Sequence, residues 1–336
     1  MKYTNIDFNN KNILITGAAG FIGSNLCFYF QKNYPDANII ALDCFRNDEK
    51  LSNGNLKSFG HFKNLLGFKG QVISANINDT KLLKDIEANY TFDYIFHQAA
   101  ISDTTANEQD LMIQTNVNAF ENLLNIAINH KANMIYASSA ATYGNSDKFE
   151  VGYEEPNNVY GFSKVMMDNI TYKYLKKDLD ISIVGLRYFN VYGPREFYKN
   201  KTASMVVQFA HQILNEQKPK LFIDSDKILR DFIYIEDVIQ ANIKACFPKK
   251  SGVYNVGTAK ARSFEDIVDI LQKELNINKG KEYIKNPFLG SYQFFTEANI
   301  ESTKKYLDYE PRFSLEEGIK AYIPEIKRLF KEEVKI

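Results

Sequence analysis

Little in this chain of 336 residues marks a secreted, metal-dependent or nucleic-acid-binding protein. It has three cysteines, Cys27, Cys44 and Cys246, an odd number without paired spacing. That reads as free thiols in a reducing compartment, not as a disulfide framework. The four histidines, His61, His97, His130 and His211, are scattered, and nothing has metal-ligand spacing, so no metal is expected. Lysine plus arginine number 41 and aspartate plus glutamate also 41, so no basic surplus draws nucleic acid and no acidic tail draws a basic partner. No apolar run approaches the ~20 residues of a membrane span. The opening MKYTNIDFNNK lacks the apolar stretch of a secretory signal. The expectation is a cytoplasmic protein with neither nucleic acid nor membrane among its partners. Internal repeats, low-complexity tracts and flexible linkers are also missing.

The chain is long enough for one large domain or two of ordinary size, and 45% hydrophobic with 24% charged residues is an ordinary soluble composition. Its first half alternates strand and helix signals. NILIT (12–16), NIIALD (38–43), QVISANI (71–77), DYIFHQAA (93–100), MIYASS (134–139) and ISIVGLRYFN (181–190) read as strands. Helical patterns fall at about 21–33, 79–89, 111–130 and 161–177. Nearly all-apolar strands alternating with helices imply an α/β fold, a doubly wound parallel sheet of the Rossmann type covered on both faces. The stretch 45–70 has no clear period and reads as a loop excursion. After Gly193 the alternation is less regular, which implies a smaller C-terminal α/β lobe.

TGAAGFIGSN places Gly17, Gly20 and Gly23 after the first strand and at the start of a helix. Glycines let the backbone approach a pyrophosphate, and the helix start offers free N–H groups and a positive dipole end. The alternative is a plain tight turn, but the strand–turn–helix context favours a dinucleotide. Asp43 ends the second strand, where a carboxylate accepts from an adenosine ribose and favours NAD. Arg46 and Lys50, just beyond, would pair with a 2′-phosphate and favour NADP. YGFSK then puts Tyr160 and Lys164 on one helix face. A lysine beside a phenol is expected to lower its pKa, and such a phenol can take a proton from a substrate alcohol. Lys164 can also hold the nicotinamide ribose. Ser139 and Thr142, in SSAATYG at the end of the fifth strand, are placed to hydrogen-bond the reacting oxygen.

TGAAGFIG, SSAATYG, the Tyr160/Lys164 pair and RYFNVYGPR together resemble the extended short-chain dehydrogenase/reductases that act on nucleotide sugars, over essentially the whole chain. The ordered blocks YASSAATYG, NVYGFSK, RYFNVYGPRE, PKLF…S…RDF and YQ.FT resemble more closely the ADP-glyceromanno-heptose 6-epimerase subgroup. That resemblance implies inversion at C6″ of an ADP-heptose through a transient 6″-ketone. NADP, with NAD as the alternative, would take and return the hydride without net redox change. It implies a second acid/base, Lys199, facing Tyr160 across the sugar, with Lys201 as the rival two residues on.

Further site residues follow from the same resemblance. Phe21 and Ile22 would line the pyrophosphate turn, and Asp43, Cys44 and Lys50 the adenosine end. Gln98, Ala99, Ala100, Ile101 and Ser102 would run along the cofactor. Asn116 would reach it from the long helix, and Val191 and Lys199 would meet its nicotinamide side. The sugar nucleotide would be held by Ser139, Asn190, Lys201, Gln208, Phe222, Ile223, Asp224, Ser225, Arg230 and Tyr292. Arg230 suits a diphosphate or, alternatively, a structural ion pair with Asp231 or Asp237.

The implied division is a cofactor domain over 1–190 with a returning segment at about 230–258, and a substrate lobe over 191–229 and 259–336. A homo-oligomer, a pentamer, is also implied. The chain departs from the subgroup at Ala18, Cys44, Lys201 and Gln208, at its longer start and in the 45–70 excursion. The alternatives are another nucleotide-sugar epimerase or dehydratase, or a non-catalytic dinucleotide sensor. A dehydratase would want an acidic pair where AATYG stands, and a sensor often loses the tyrosine or lysine present here.

Overall fold

Strand β1 (Asn12–Thr16) shows why the sheet forms: Ile13 and Ile15 enter one hydrophobic core while Leu14, pointing the other way, enters a second. A strand apolar on both faces is stable only between two layers. The computed structural model of the chain describes residues 1–286 and 293–334. From β1 the chain runs through α1 (Phe21–Asn33), β2 (Asn38–Asp43), β3 (Gln71–Ser74), α2 (Thr80–Asn89) and β4 (Tyr94–His97). It continues through α3 (Gln109–Met112), a π-helical turn (Ile113–Asn118), α4 (Ala119–His130), β5 (Asn133–Ser139), α5 (Val159–Tyr174) and β6 (Ile183–Tyr188). Next come β7 (Asn190–Tyr192), α6 (Met205–Leu214), β8 (Lys220–Phe222), β9 (Leu229–Tyr234), α7 (Ile235–Lys244) and β10 (Gly252–Val256). The last elements are β11 (Ala261–Ser263), α8 (Phe264–Leu275), β12 (Glu282–Ile284), β13 (Phe295–Thr296), α9 (Glu301–Leu307) and α10 (Leu315–Leu329).

Seven parallel strands in the order β10-β6-β5-β4-β1-β2-β3 form the central sheet. One face packs on a core containing Leu26, Phe30, Val206 and Val238, from α1, α6 and α7, and the other on a core containing Leu83, Phe120 and Met167, from α2, α4 and α5. Strand order reverses between β1 and β4, and a crevice opens there beyond the carboxyl ends of the strands. The doubly wound α/β expectation therefore holds. Strand β9 pairs with β7, β11 and β13 in a smaller sheet, and β8 pairs with β12. Among the described residues no helix is long and apolar enough to cross a membrane.

Three stretches differ from the sequence expectation. ISIVGLRYFN is two strands, because at Phe189, whose N–H donates to Val256 O (3.1 Å), the chain leaves the central sheet for β9. The helix expected over 111–130 is widened by the π turn, which carries Asn116. The excursion folds into a small hairpin bridged at Lys50 and Leu56. Its Asn53 and Asn55 side chains donate to the Asp103 carboxylate (2.8 and 2.7 Å), tying it to the segment after β4.

Candidate active site

The glycine turn is built for close approach. Gly17 has φ +66°, and a Cβ there would lie 2.7 Å from Ala99 N. A Cβ on Gly23 would lie 2.2 Å from Gly17 O. Gly20 caps α1 without a side-chain hydrogen bond, so no side chain covers the helix's first amides, where the dipole is positive. Asp43 is buried and binds the turn to β2: its carboxylate accepts from Ala19 N (2.9 Å) and Phe45 N (2.8 Å), and burial pushes its pKa up. A cleft of about 540 Å³ opens above these residues. A cradle that side chains would fill, an uncapped helix start and a carboxylate at the end of β2 fit the pyrophosphate and ribose of a dinucleotide.

Tyr160 and Lys164 occupy the first two turns of α5. Asn158 fixes that helix start by accepting from Gly161 N (2.8 Å). The Lys164 ammonium is buried, donates to Ala137 O (2.7 Å) and lies 5.7 Å from the Tyr160 ring centre. Burial pulls the Lys164 pKa down to about 8, with Asp168 opposing. The Tyr160 phenol is pushed up by burial, and the group that draws it down is the Ser139 hydroxyl. This corrects the expectation that Lys164 lowers the phenol: desolvation outweighs the Ser139 hydrogen bond, and Lys164 is not among the groups that shift it. Ser139 Oγ accepts from Ala141 N (3.1 Å) at the cleft wall. Thr142 Oγ1 donates to Ser139 O (2.8 Å), which supports the turn from behind.

Lys199 enters the same cleft from the loop after β7. It is half-buried, with its ammonium 5.9 Å from the Phe21 ring centre. Burial lowers its pKa, and the Glu196 carboxylate opposes. Gly17, Gly20, Phe21, Ile22, Gly23, Asp43, Cys44, Gln98, Ala99, Ala100, Ile101, Ser102, Ser139, Tyr160, Lys164, Asn190, Val191 and Lys199 all line this one cleft.

Other candidates stand elsewhere. Lys50 is exposed on the hairpin, and the lysine of that stretch which lines the cleft is Lys57, beside Ser58. The sequence carries no signal for Lys57 or Ser58, since the excursion has no period. Arg46 donates to Tyr198 O (3.4 Å). Asn116 is fully buried and holds the cleft wall from behind, its amide bonding both Ile101 N and Ile101 O (2.9 Å each). Lys201 is exposed, and Gln208 donates to Lys201 O (3.2 Å) and Ala203 O (2.7 Å).

Phe222, Ile223, Asp224 and Ser225 lie at and after the end of β8, outside the cleft lining, with Ser225 donating to Glu265 (3.0 Å). Arg230 is buried on β9 and donates to Leu229 O (3.0 Å) and Gln293 O. The carboxylates of Asp231 and Asp237 accept backbone amides, from Thr258, Ala259 and Ala298 and from Arg312 and Phe313. Tyr292 lies outside the described residues. Among the described residues no group of three or more His, Cys, Asp or Glu side chains is placed to hold a metal.

Residues 13–257 match the model of the NAD dependent epimerase/dehydratase family. The ADP-L-glycero-D-manno-heptose-6-epimerase of Brachyspira hyodysenteriae is 36% identical over 321 residues, 92% of this chain and 96% of that protein. The crystal structure of the Helicobacter pylori ADP-L-glycero-D-manno-heptose-6-epimerase superposes with a TM-score of 0.87 at 52% identity, over 97% of this chain and 99% of that one. That of Bacillus cereus UDP-glucuronic acid 4-epimerase, in complex with UDP-glucuronic acid and NAD, gives 0.78 at 28% identity, over 95% and 99%.

Proposed function

The chain belongs to the NAD dependent epimerase/dehydratase family, and on that premise we propose that it inverts C6″ of ADP-D-glycero-D-manno-heptose to give the L-glycero epimer. The substrate follows the names of the Brachyspira and Helicobacter relatives. The observation that carries the chemistry is that Tyr160 from α5 and Lys199 from the loop after β7 line one cleft with the glycine turn.

A bound nicotinamide supplies the hydride acceptor and donor. The glycine turn and the α1 start would hold the pyrophosphate, Asp43 the adenosine ribose, and Lys164 the nicotinamide ribose. Tyr160 removes the C6″ hydroxyl proton of one epimer as the carbon becomes a planar ketone. The ketone turns over. Lys199 would then protonate the oxygen from the opposite side, giving the other epimer. One proton and one hydride leave the substrate and one of each returns, so the reaction is redox-neutral. Two acid/bases are needed because the hydroxyl points to opposite sides in the two epimers. Lys57, which lines the cleft beside Ser58 and pairs with the exposed Glu49 carboxylate (3.1 Å), supports NADP over NAD, since a 2′-phosphate at the adenosine end can compete for its ammonium.

Proton NMR of the heptose C6″ and anomeric signals tests the reading. Wild type should give a mixture of epimers, and Tyr160→Phe and Lys199→Ala should each lower kcat by about 10²- to 10⁴-fold. A heptose left untouched by protein that carries dinucleotide would overturn the substrate. Lys57→Ala should narrow the NADP-over-NAD affinity ratio by about tenfold, and Lys50→Ala should leave it in place.

A further inference from the structure

The loop from Gly193 to Ser204 folds around one side chain. Glu196 is fully buried, and its carboxylate accepts from Gly193 N (3.0 Å) at one end of the loop and from Ser204 N (2.6 Å) and Ser204 Oγ (2.8 Å) at the other. Burial pushes the Glu196 pKa up, and these donors together with Lys199 draw it back down. Its backbone carbonyl accepts from Lys199 N (2.9 Å). Between these anchors Arg195 has φ 75° and Asn200 has φ 53°, a backbone that non-glycine residues hold only when the surroundings impose it. The charged and titratable groups facing this carboxylate are Lys199 on its own loop, Tyr192 on β7 and Tyr322 on α10. Burial holds both phenols protonated. Arg195 turns away, onto Asn64 O and the Phe28 ring, and its N–H donates to Glu325 (2.8 Å).

We propose that Glu196 is a positioning residue for Lys199: its buried carboxylate closes the strained loop on itself and so fixes where the loop brings the lysine to the cleft wall. The proposal rests on Lys199 being an acid/base in the reaction above. Geometry and charge make separate contributions. The hydrogen bonds set where Lys199 points, and the negative charge offsets the desolvation that disfavours its ammonium.

Two substitutions separate them in the protein carrying its cofactor, assayed with ADP-heptose across pH. Glu196→Gln removes the charge and should lower kcat by about 10- to 100-fold while bound dinucleotide is retained. The limb of the pH profile set by Lys199 should move to lower pH, because losing a nearby negative charge lowers an ammonium pKa. Glu196→Asp keeps the charge but shortens the reach, so kcat should fall with that limb in place. If Glu196→Gln does not fold, Glu196→Asp decides: reduced kcat with an unmoved limb supports the role, and wild-type kcat overturns it. Lys199→Ala is run alongside. If it turns over heptose at the wild-type rate, the two-base reading fails and the positioning role with it. If Lys199→Ala is inactive and Glu196→Gln keeps wild-type kcat and pH profile, the positioning role alone fails.

Discussion

Helix α5 and the loop from Gly193 to Ser204 each carry a lysine into the same cleft, and they hold it by different means. On α5 the backbone is regular, Asn158 caps it, and the spacing of Tyr160 and Lys164 follows from the helical repeat. One turn further on, Asp168 ties the helix to the sheet through Tyr136, Ser138 and Arg187. The loop holds only short 3₁₀ turns over Phe197–Thr202, broken by a kink at Asn200. It contains positive φ at Gly193, Arg195 and Asn200, and one carboxylate bonds both its ends. Regular backbone positions a side chain through many weak, redundant bonds. An irregular loop does so through a few strong ones, so its function is the more exposed to a single substitution while its loss costs the fold less.

Stripping α5 of its ionic anchor should give the largest stability change. Arg187 is buried and pairs with Asp168 (2.8 Å) and Glu154 (2.6 Å), so Arg187→Leu strands two carboxylates. Unfolding in urea should show a loss of about 3–5 kcal/mol. A loss no greater than that of a loop substitution would break the contrast between the two regions.

A smaller effect comes from Lys164 itself. Its folded pKa of about 8 lies below the ordinary 10.5. Between those values the unfolded chain binds the proton more strongly, so this group's contribution to stability rises with pH across the window. Below about 8 the lysine is charged in both states and the burial cost is present in full; above 10.5 it is neutral in both and the cost is gone. Measured against Lys164→Met, wild type should therefore gain up to about 3 kcal/mol between pH 8 and 10.5. A stability difference that stays flat with pH would show that the buried lysine titrates normally.

The smallest effect belongs to the loop. Asn200→Gly admits the φ 53°, ψ −124° backbone without a Cβ and should raise unfolding stability by about 1 kcal/mol. It should also lower kcat, because the loop then has less to hold Lys199 in place. Raised stability with unchanged kcat would sharpen the comparison by assigning the positioning to Glu196 alone.

Much of the fold is legible in the amino-acid order alone. Apolar runs such as NILIT and YIFH imply strands buried on both faces, and β1 and β4 are such strands. The glycine turn stands where its motif implies, between β1 and α1. The break between β6 and β7 is not legible, since Phe189 continues an apolar run and only pairing with β9 ends it. Nor is the π turn, because a single widened turn leaves the apolar spacing of a long helix nearly intact. Lys57 has no signal at all: its place in the cleft depends on a hairpin held by Asp103, from a different part of the chain.

The sequence by itself determined the alternation of strands and helices, the glycine turn and the shared face of Tyr160 and Lys164, because each is a property of one element and its own repeat. Tertiary structure alone decided that Lys199 shares a cleft with Tyr160, that Glu196 closes the loop beneath it, and that burial and not Lys164 dominates the Tyr160 phenol. Desolvation and cross-chain contact depend on which neighbours other elements bring, and no local spacing encodes that.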